Sequence, residues 1–335
     1  MLDFKILEVD YHCRENEMLV KANSKVSSVK TFPIYTVNGQ KMLFKPLSYT
    51  KPLTTPFFAY AEVFWSFIFH QYFDNNIPLY TLAYCWHFTD FISKYYCKGT
   101  LVPLQQRKNC KIMNLYDYFI LHPDENVNIK DYVNYCGKTY DYTTILHAKI
   151  FMNNENLSEK LAYYILLSIL KLDYNFHYEN ILLYVENDKI VDLVPMLDHE
   201  FSLYFLFPDT NLYIQNFEYY FDDIVSVSGT CYQNIAYIKK TYPHIYHLFI
   251  ENVQVLKNNF TDYSISFDKK FVGKFSTHSW LIGDARYKQH DERKAQDYER
   301  ELEFLDADKF DFDKWNKRLR SSINILMKTL IDGND

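Results

Sequence analysis

Four side chains stand in an order that could do chemistry together: Lys45 closing Leu43-Phe44-Lys45, Glu62 in Ala61-Glu62-Val63, Asn180 in His177-Tyr178-Glu179-Asn180, and Asp198 in Pro195-Met196-Leu197-Asp198. A lysine at the end of a strand can neutralise α- and β-phosphate charge, and a glutamate in the next helix can hold it by an ion pair. An amide and a carboxylate at the two ends of a later hairpin lie close in space, which suits a shared Mg²⁺. That order fits phosphoryl transfer from ATP. Each residue also has a plainer role, since lysines are usually exposed and Asp often caps a turn. Glu62 says more. An ionised carboxylate in so apolar a run must find a cation, lose its charge, or sit on a narrow face shown to water.

The elements that must position these groups can be read from pattern. From Phe4 to about Lys45 the chain alternates β-branched and aromatic residues with Asn/Ser-rich turns, as short strands do. The segment KANSKVSSVKTF is a loop between two of them. Val37-Asn38-Gly39-Gln40 reads as a hairpin turn, because Asn-Gly supplies the positive φ angles of type I′. Lys41 to Lys45 is then the returning strand. After a loop bracketed by Pro46, Pro52 and Pro56, PFFAYAEVFWSFIFHQYF has the length and apolar density of a buried helix. LYTLAYCWHF follows as a strand. A polar connector beyond Lys98-Gly99, with Gln105 to Asn109, marks the passage from one lobe to the next.

Downstream the texture turns helical. Asn156 to Leu172 is apolar almost all round, with Ser158 as its expected cap. Two short strands follow around Glu186-Asn187-Asp188-Lys189. The rest, from about residue 210, reads as mostly helical, with a charged segment from Asp284 to Asp308. Within it Arg286, Arg293 and Arg300 are expected on a solvated helix face.

Bulk composition narrows the function classes. The 335 residues are 48% hydrophobic, enough for a sizeable core. A net charge of −6 argues against a broad basic surface, so direct nucleic-acid binding is not expected. The chain has 31 Tyr and 27 Phe against 7 Gly, so a phosphate-cradling loop here cannot be recognised by glycine. Cysteines at 13, 85, 97, 110, 136 and 231 form no CxxC pair, and no two histidines stand at i,i+4, so neither a zinc site nor a disulfide framework is suggested. The start MLDFKILEVD has no basic-then-apolar signal pattern. No apolar run approaches the length of about 20 residues that a membrane helix needs. A reducing cytoplasm is the expected location.

The spacing resembles the HipA-like kinase family of the protein kinase superfamily, whose second lobe carries D-R-H-x-x-N after a buried helix, then a hairpin ending in a Pro-x-x-Asp segment. NFHYENILLYVENDKIVDLVPMLDHEFS follows that order, and LFKP, AEVFWSFIF and NNIPLYTLAY are similar to the family's lysine strand, glutamate helix and Ile-Pro strand. The similarity spans roughly residues 18 to 205. It implies an α+β, two-lobed protein-kinase-like fold, with a small β-rich N-lobe over residues 1–98 and a larger, mainly helical C-lobe over 99–335. It also implies ATP and Mg²⁺ as cofactors and a protein substrate or regulatory partner.

Residue by residue, the resemblance implies that Lys45 binds ATP phosphates and Glu62 orients it. His177 would buttress the catalytic loop, and Asn180 and Asp198 would ligate Mg²⁺. Asn23, Ser24, Ser27 and Ser28 would face the phosphates from the polar loop. One departure divides the functional readings. The family's catalytic Asp is matched by Asn175, and the adjacent Arg by Phe176. An amide can position a hydroxyl but cannot take up its proton. Asp173, two residues upstream, either substitutes from an extended loop or is a solvated helix C-terminal residue. The readings left open are an active Ser/Thr kinase, a nucleotide-binding pseudokinase with a scaffold or regulatory role, an ATP-dependent transferase of another group such as adenylyl, and a small-molecule phosphotransferase.

Overall fold

Strand-forming residues build a mixed sheet from the first third of the chain. The computed structural model describes residues 1–21, 30–46, 55–88, 94–125, 145–146, 148–173, 178, 180–196, 199, 231–260, 263–272 and 311–333. After the short β1 (Leu2–Asp3) come β2 (Ile6–Val9), β3 (Arg14–Lys21), β4 (Lys30–Val37) and β5 (Gln40–Pro46). With β6 (Thr81–Phe88) and β7 (Lys94–Pro103) they form a six-stranded sheet of order β2-β6-β7-β5-β4-β3. Its pairs are antiparallel except β2 with β6. The β4–β5 turn is the Asn-Gly hairpin, with Asn38 at φ 52 and Gly39 at φ 79. The expected lobe boundary at 98/99 falls inside β7, which pairs with β5 as far as Pro103. The ladder therefore carries the sheet past that point, and the polar residues Gln105 to Asn109 follow its end at Pro103.

Both faces of this sheet are covered. Tyr35, Met42, Phe44, Ala83, Cys85 and Leu101 form a core on one side. On the other, Ile34, Leu43, Leu82 and Val102 pack with α1 (Thr55–Tyr72). That helix is buried nearly all round because a second layer closes on it from the C-terminal third. There, α6 (Pro243–Asn259), β11 (Ile265–Ser266), α7 (Lys269–Val272) and α8 (Phe312–Asp332) supply the partners, with α5 (Cys231–Thr241) packed behind α6. Phe57 meets Phe267 and Trp315 at 5.7 and 5.6 Å, Tyr60 meets Phe267 at 4.5 Å, and Phe64 meets Phe260 at 6.1 Å between ring centroids. The Tyr60 hydroxyl accepts from the Asp268 amide at 2.8 Å. Burial pushes its pKa well up, keeping it neutral. The aromatic excess of the sequence is thus used as core, with edge-to-face pairs worth about 0.5–1.5 kcal/mol each beyond area.

The chain's first and last thirds are also tied by backbone. β1 pairs in parallel with β11, and Asn316 of α8 brackets Ile265, accepting from its N–H at 2.8 Å and donating to its carbonyl at 2.9 Å. An amide side chain acts here as a further strand residue, satisfying a ladder edge that burial would otherwise leave costly.

The middle of the chain holds β8 (Lys111–Asn114), α2 (Leu115–Leu121), α3 (Lys149–Met152), α4 (Glu155–Leu170), β9 (Leu182–Glu186) and β10 (Lys189–Leu193). The last two strands are the expected hairpin, with Asn187 and Asp188 at φ 49 and 61, and β8 extends it to three strands. The buried helix is present as α4, but Ser158 does not cap it. Asn154 does, accepting from the Leu157 amide at 3.2 Å, whereas the Ser158 hydroxyl donates to the Glu155 carbonyl within the first turn. An Asn one turn earlier wins because Asn caps at least as well as Ser and places the Glu155 charge in the first turn, where the helix dipole favours it. Among the described residues no helix is long and apolar enough to cross a membrane.

Candidate active site

Strand alternation aims Lys45. Met42 and Phe44 point into the outer core, so Leu43 and Lys45 share the face that α1 covers. On α1, Glu62 lies at 2% exposure, and its Oε1 is 2.5 Å from Lys45 Nζ. Of the options left by the sequence, the ion pair is the one found. Water on a narrow helix face is excluded by the second aromatic layer. Lys45 keeps 14% exposure and lies 5.7 Å from the centroid of the Tyr80 ring, within cation–π range.

Glu62 does a second thing. Its Oε1 also accepts from the backbone N–H of His199 at 3.1 Å. One carboxylate oxygen therefore joins the lysine strand, the glutamate helix and the residue that follows Asp198. The His199 ring is fully enclosed, edge-on to Phe69 at 5.5 Å and Tyr80 at 5.6 Å. The backbone at 199 is thus fixed from α1 while its side chain is locked by aromatic walls.

The opposite side of His199 meets the end of α4. Lys171 has no exposed surface, and its Nζ is 2.7 Å from Asp173 Oδ2 and 3.4 Å from His199 Nδ1. The local backbone explains how two residues so close in sequence can pair. The Asp173 amide donates to Ser168 O and the Leu172 amide to Ile169 O, both at 2.9 Å, in the pattern of a Schellman motif. Leu172 occupies the left-handed position at φ 48, where glycine is usual. That conformation costs an L-residue roughly 1–2 kcal/mol. It curls the chain so that Asp173 returns over the helix end.

Asp173 is accordingly neither a solvated helix terminus nor an open carboxylate. At 4% exposure and paired to Lys171, it offers little oxygen surface to an incoming hydroxyl. Asn180 lines a small crevice with Tyr164, Ile181, Leu182 and residues 193 to 196, so the two ends of the hairpin do come together. The Val194 amide donating to Leu182 O at 2.9 Å closes that end.

Asn23, Ser24, Ser27, Ser28, Asn175, His177 and Asp198 lie outside the described residues. The structure therefore brings together Lys45 and Glu62, places Asn180 at the hairpin mouth, and sets Asp173 apart in its own ion pair. Reasoning from sequence missed Lys171 and His199. A lone cation closing the apolar run Leu166-Leu167-Ser168-Ile169-Leu170-Lys171 was a usable signal, by the same argument that singled out Glu62. His199 carried none beyond adjacency to Asp198.

Among the described residues no three His, Cys, Asp or Glu gather as a metal cluster. Mg²⁺ carried by a nucleotide does not require one, because it keeps waters and phosphates as ligands and needs one or two protein groups. An amide oxygen at Asn180 and a carboxylate at Asp198 are hard donors of the right kind for that ion.

No protein-family model matches the chain. No curated protein matches it either. Among solved structures it is similar to the crystal structure of a Helicobacter pylori proinflammatory kinase, CtkA, at 12% sequence identity and a TM-score of 0.42, over 97% of this chain and 94% of that one. A likeness this distant does not by itself define a fold or an activity.

Proposed function

We propose that the chain is an ATP- and Mg²⁺-dependent phosphotransferase of HipA-like type, two-lobed, moving the γ-phosphate to a Ser or Thr hydroxyl of a protein, itself included. The observation that carries this reading is the triple junction at Glu62. A buried carboxylate holds a partly exposed lysine and, through the same oxygen, the backbone beside Asp198. A lysine so held is pre-oriented, so little further ordering is needed when its ammonium meets phosphate oxygens.

The roles follow from that junction. Lys45 neutralises α/β-phosphate charge, Glu62 fixes the ammonium, and Asn180 and Asp198 are the groups that would hold Mg²⁺, which supplies charge neutralisation between the phosphates when bound. Asn175 orients the acceptor hydroxyl by hydrogen bonding, and His177 supports the loop. Asn23, Ser24, Ser27 and Ser28 offer polar groups to the phosphates in a chain with few glycines.

A second reading has its own support. Asn175 lacks a basic oxygen, and Asp173, the nearest replacement, is buried against Lys171. A missing general base is typically worth about 10²–10⁴-fold in rate. A nucleotide-binding pseudokinase, or a transferase of another group such as adenylyl, would keep the Glu62 junction and not need that base.

Intact mass after incubation with Mg²⁺-ATP, beside Lys45→Ala and Asp198→Ala, separates these. A gain of phosphoryl mass lost in both variants supports the kinase, and a gain of adenylyl mass the alternative transferase. No gain with an Mg²⁺-dependent rise in Tm on adding ATP leaves the pseudokinase or an enzyme that acts only on other substrates, and no rise removes the ATP site.

A further inference from the structure

Tyrosines packed into this core find partners for their hydroxyls. Tyr60 accepts from the Asp268 amide at 2.8 Å, and Tyr72 and Tyr263 share a hydrogen bond at 2.6 Å. Tyr163 on α4 donates to Phe73 O at 3.2 Å and accepts from Asn252 Nδ2 at 3.0 Å. Tyr164, the next residue on the same helix, differs. Its hydroxyl is buried and makes no hydrogen bond to any described residue. A phenylalanine would fill the same volume without taking an oxygen out of water, which is costly where nothing replaces that water. A hydroxyl left in this way inside a native core marks a place where a group other than the protein completes the bonding.

The surroundings of the hydroxyl define that group. Tyr164 and Asn180 stand in the walls of one crevice, whose other walls are Ile181, Leu182 and residues 193 to 196, all with apolar side chains. The Met196 N–H faces the phenol oxygen from outside hydrogen-bond geometry, which sets the hydroxyl at the Met196 end of the crevice. Burial pushes the Tyr164 pKa well up, with Asp74 and Asp192 adding to the shift, so the phenol stays a neutral donor. The Val194 amide is already taken by Leu182 O. Two polar side chains are therefore offered to an occupant, the Tyr164 hydroxyl and the Asn180 carboxamide. The walls leave about 10 Å³ to the centre of a water molecule, room for a single one.

We propose that the crevice binds one ordered water bridging the Tyr164 hydroxyl to the Asn180 carboxamide, and that Tyr164 is thereby a positioning residue for Asn180. The role rests on the nucleotide-binding reading above, in which Asn180 holds Mg²⁺. An amide can turn either end towards a metal, and only its oxygen suits so hard a cation. With Oδ1 given to the ion, Nδ2 is the end left to face the crevice. A water that takes the Tyr164 proton on one lone pair has a second for an Nδ2 proton, so the bridge favours the flip that offers the oxygen to the metal. Tyr164 touches neither nucleotide nor ion. Groups behind a metal ligand typically act in this way, and loss of such a group lowers metal affinity by about 10- to 100-fold.

The test must distinguish positioning from mere stability. Tyr164→Phe removes the hydroxyl alone and keeps the ring that packs in the core. The readout is the ATP-induced rise in Tm with Mg²⁺ and with EDTA, from which apparent ATP affinities follow. The expected result is a variant that melts close to the unmutated protein and keeps its EDTA response, with the Mg²⁺-dependent gain in ATP affinity reduced about 10- to 100-fold. A full Mg²⁺-dependent gain, or a loss shared equally by the two conditions, overturns the proposal while leaving the nucleotide site intact. An unmutated protein with no response to ATP in either condition removes the nucleotide site itself, and the role of Tyr164 with it. The water is read separately and without nucleotide, in a crystal structure of the unmutated chain at a resolution that shows ordered solvent. Density joining Tyr164 Oη to the Asn180 side chain supports the site, and a dry crevice overturns it, whether or not Tyr164→Phe folds.

Discussion

Two lysine–carboxylate pairs lie at the centre of this protein, and they differ in how far the cation is shut in. Lys45 keeps 14% of its side-chain surface and Lys171 none, while their partners Glu62 and Asp173 are both nearly closed off, at 2% and 4%. The first pair joins a strand to a helix across the core. The second closes a loop of three residues at a helix end. A cation with some surface can exchange part of its attraction for a ligand's phosphate, whereas an enclosed one can act only through what it holds. Burial thus separates a lysine fit to bind from a lysine fit to position.

The largest effect expected from breaking this comparison is at the enclosed pair. Lys171→Met leaves the Asp173 carboxylate without that cation in a site with little access to water, and such losses run to about 3–5 kcal/mol. Urea unfolding at neutral pH measures it. Lys45→Met should cost less, about 1–3 kcal/mol, because Glu62 retains the His199 amide and the site borders solvent. The same variant should abolish the ATP-induced rise in Tm. Equal losses from the two substitutions would break the distinction between the pairs.

Glycine offers a finer probe of the Lys45 side alone. Gly99 on β7 lies beside β5, and a Cβ there would sit 2.3 Å from the Lys45 carbonyl oxygen and 2.7 Å from the Phe44 ring. Gly99→Ala therefore forces the lysine strand to move, at a cost of about 1–3 kcal/mol typical of overpacking. It should weaken ATP binding while leaving the Lys171–Asp173 pair untouched. Gly39→Ala meets no atom within 4 Å and suffers only from its φ of 79. About 1 kcal/mol of stability, with ATP binding unchanged, is the expected outcome by thermal melting.

What the sequence revealed and concealed divides along the same physical line. The Asn-Gly turn, the lysine strand, the apolar helix and the second hairpin are governed by local chemistry, and they stand where local chemistry puts them. Glu62 was legible because a charge in an apolar run demands a partner. The identity of its second partner, a backbone amide 137 residues away, was not, since any residue can supply one. The cap of α4 was misplaced by one turn, as cap positions are when several polar residues precede a helix. Gly99, beside the boundary expected from sequence, lies in mid-strand, where its missing side chain allows close packing against Phe44. Asp173 was open between catalysis and solvation, and the fold excludes the second by burying it against Lys171. A left-handed Leu172 made the difference, and no propensity argument anticipates a leucine there.

A third lysine sharpens the comparison by showing what burial does when backbone carbonyls are the acceptors. Lys98 Nζ donates to Lys270 O at 2.8 Å and Phe271 O at 3.0 Å at the end of α7. Burial lowers its pKa from 10.5 to about 8, with the charge of Asp268 pulling the other way. Between those values the unfolded chain holds the proton and the folded one has released it, so stability rises with pH through that window, and the penalty stands in full below about pH 8. Tyr72 and Tyr84 work oppositely, since burial raises both to about 12 and stability falls as the unfolded chain ionises above 10.0. The Tm should therefore climb modestly from pH 8 towards pH 10 and then decline. Lys98→Met should flatten the climb and leave the decline, as read by melting curves at matched ionic strength. A climb that persists in the variant would assign it to another group and leave Lys98 charged, held by its carbonyls as firmly as Lys171 is held by Asp173.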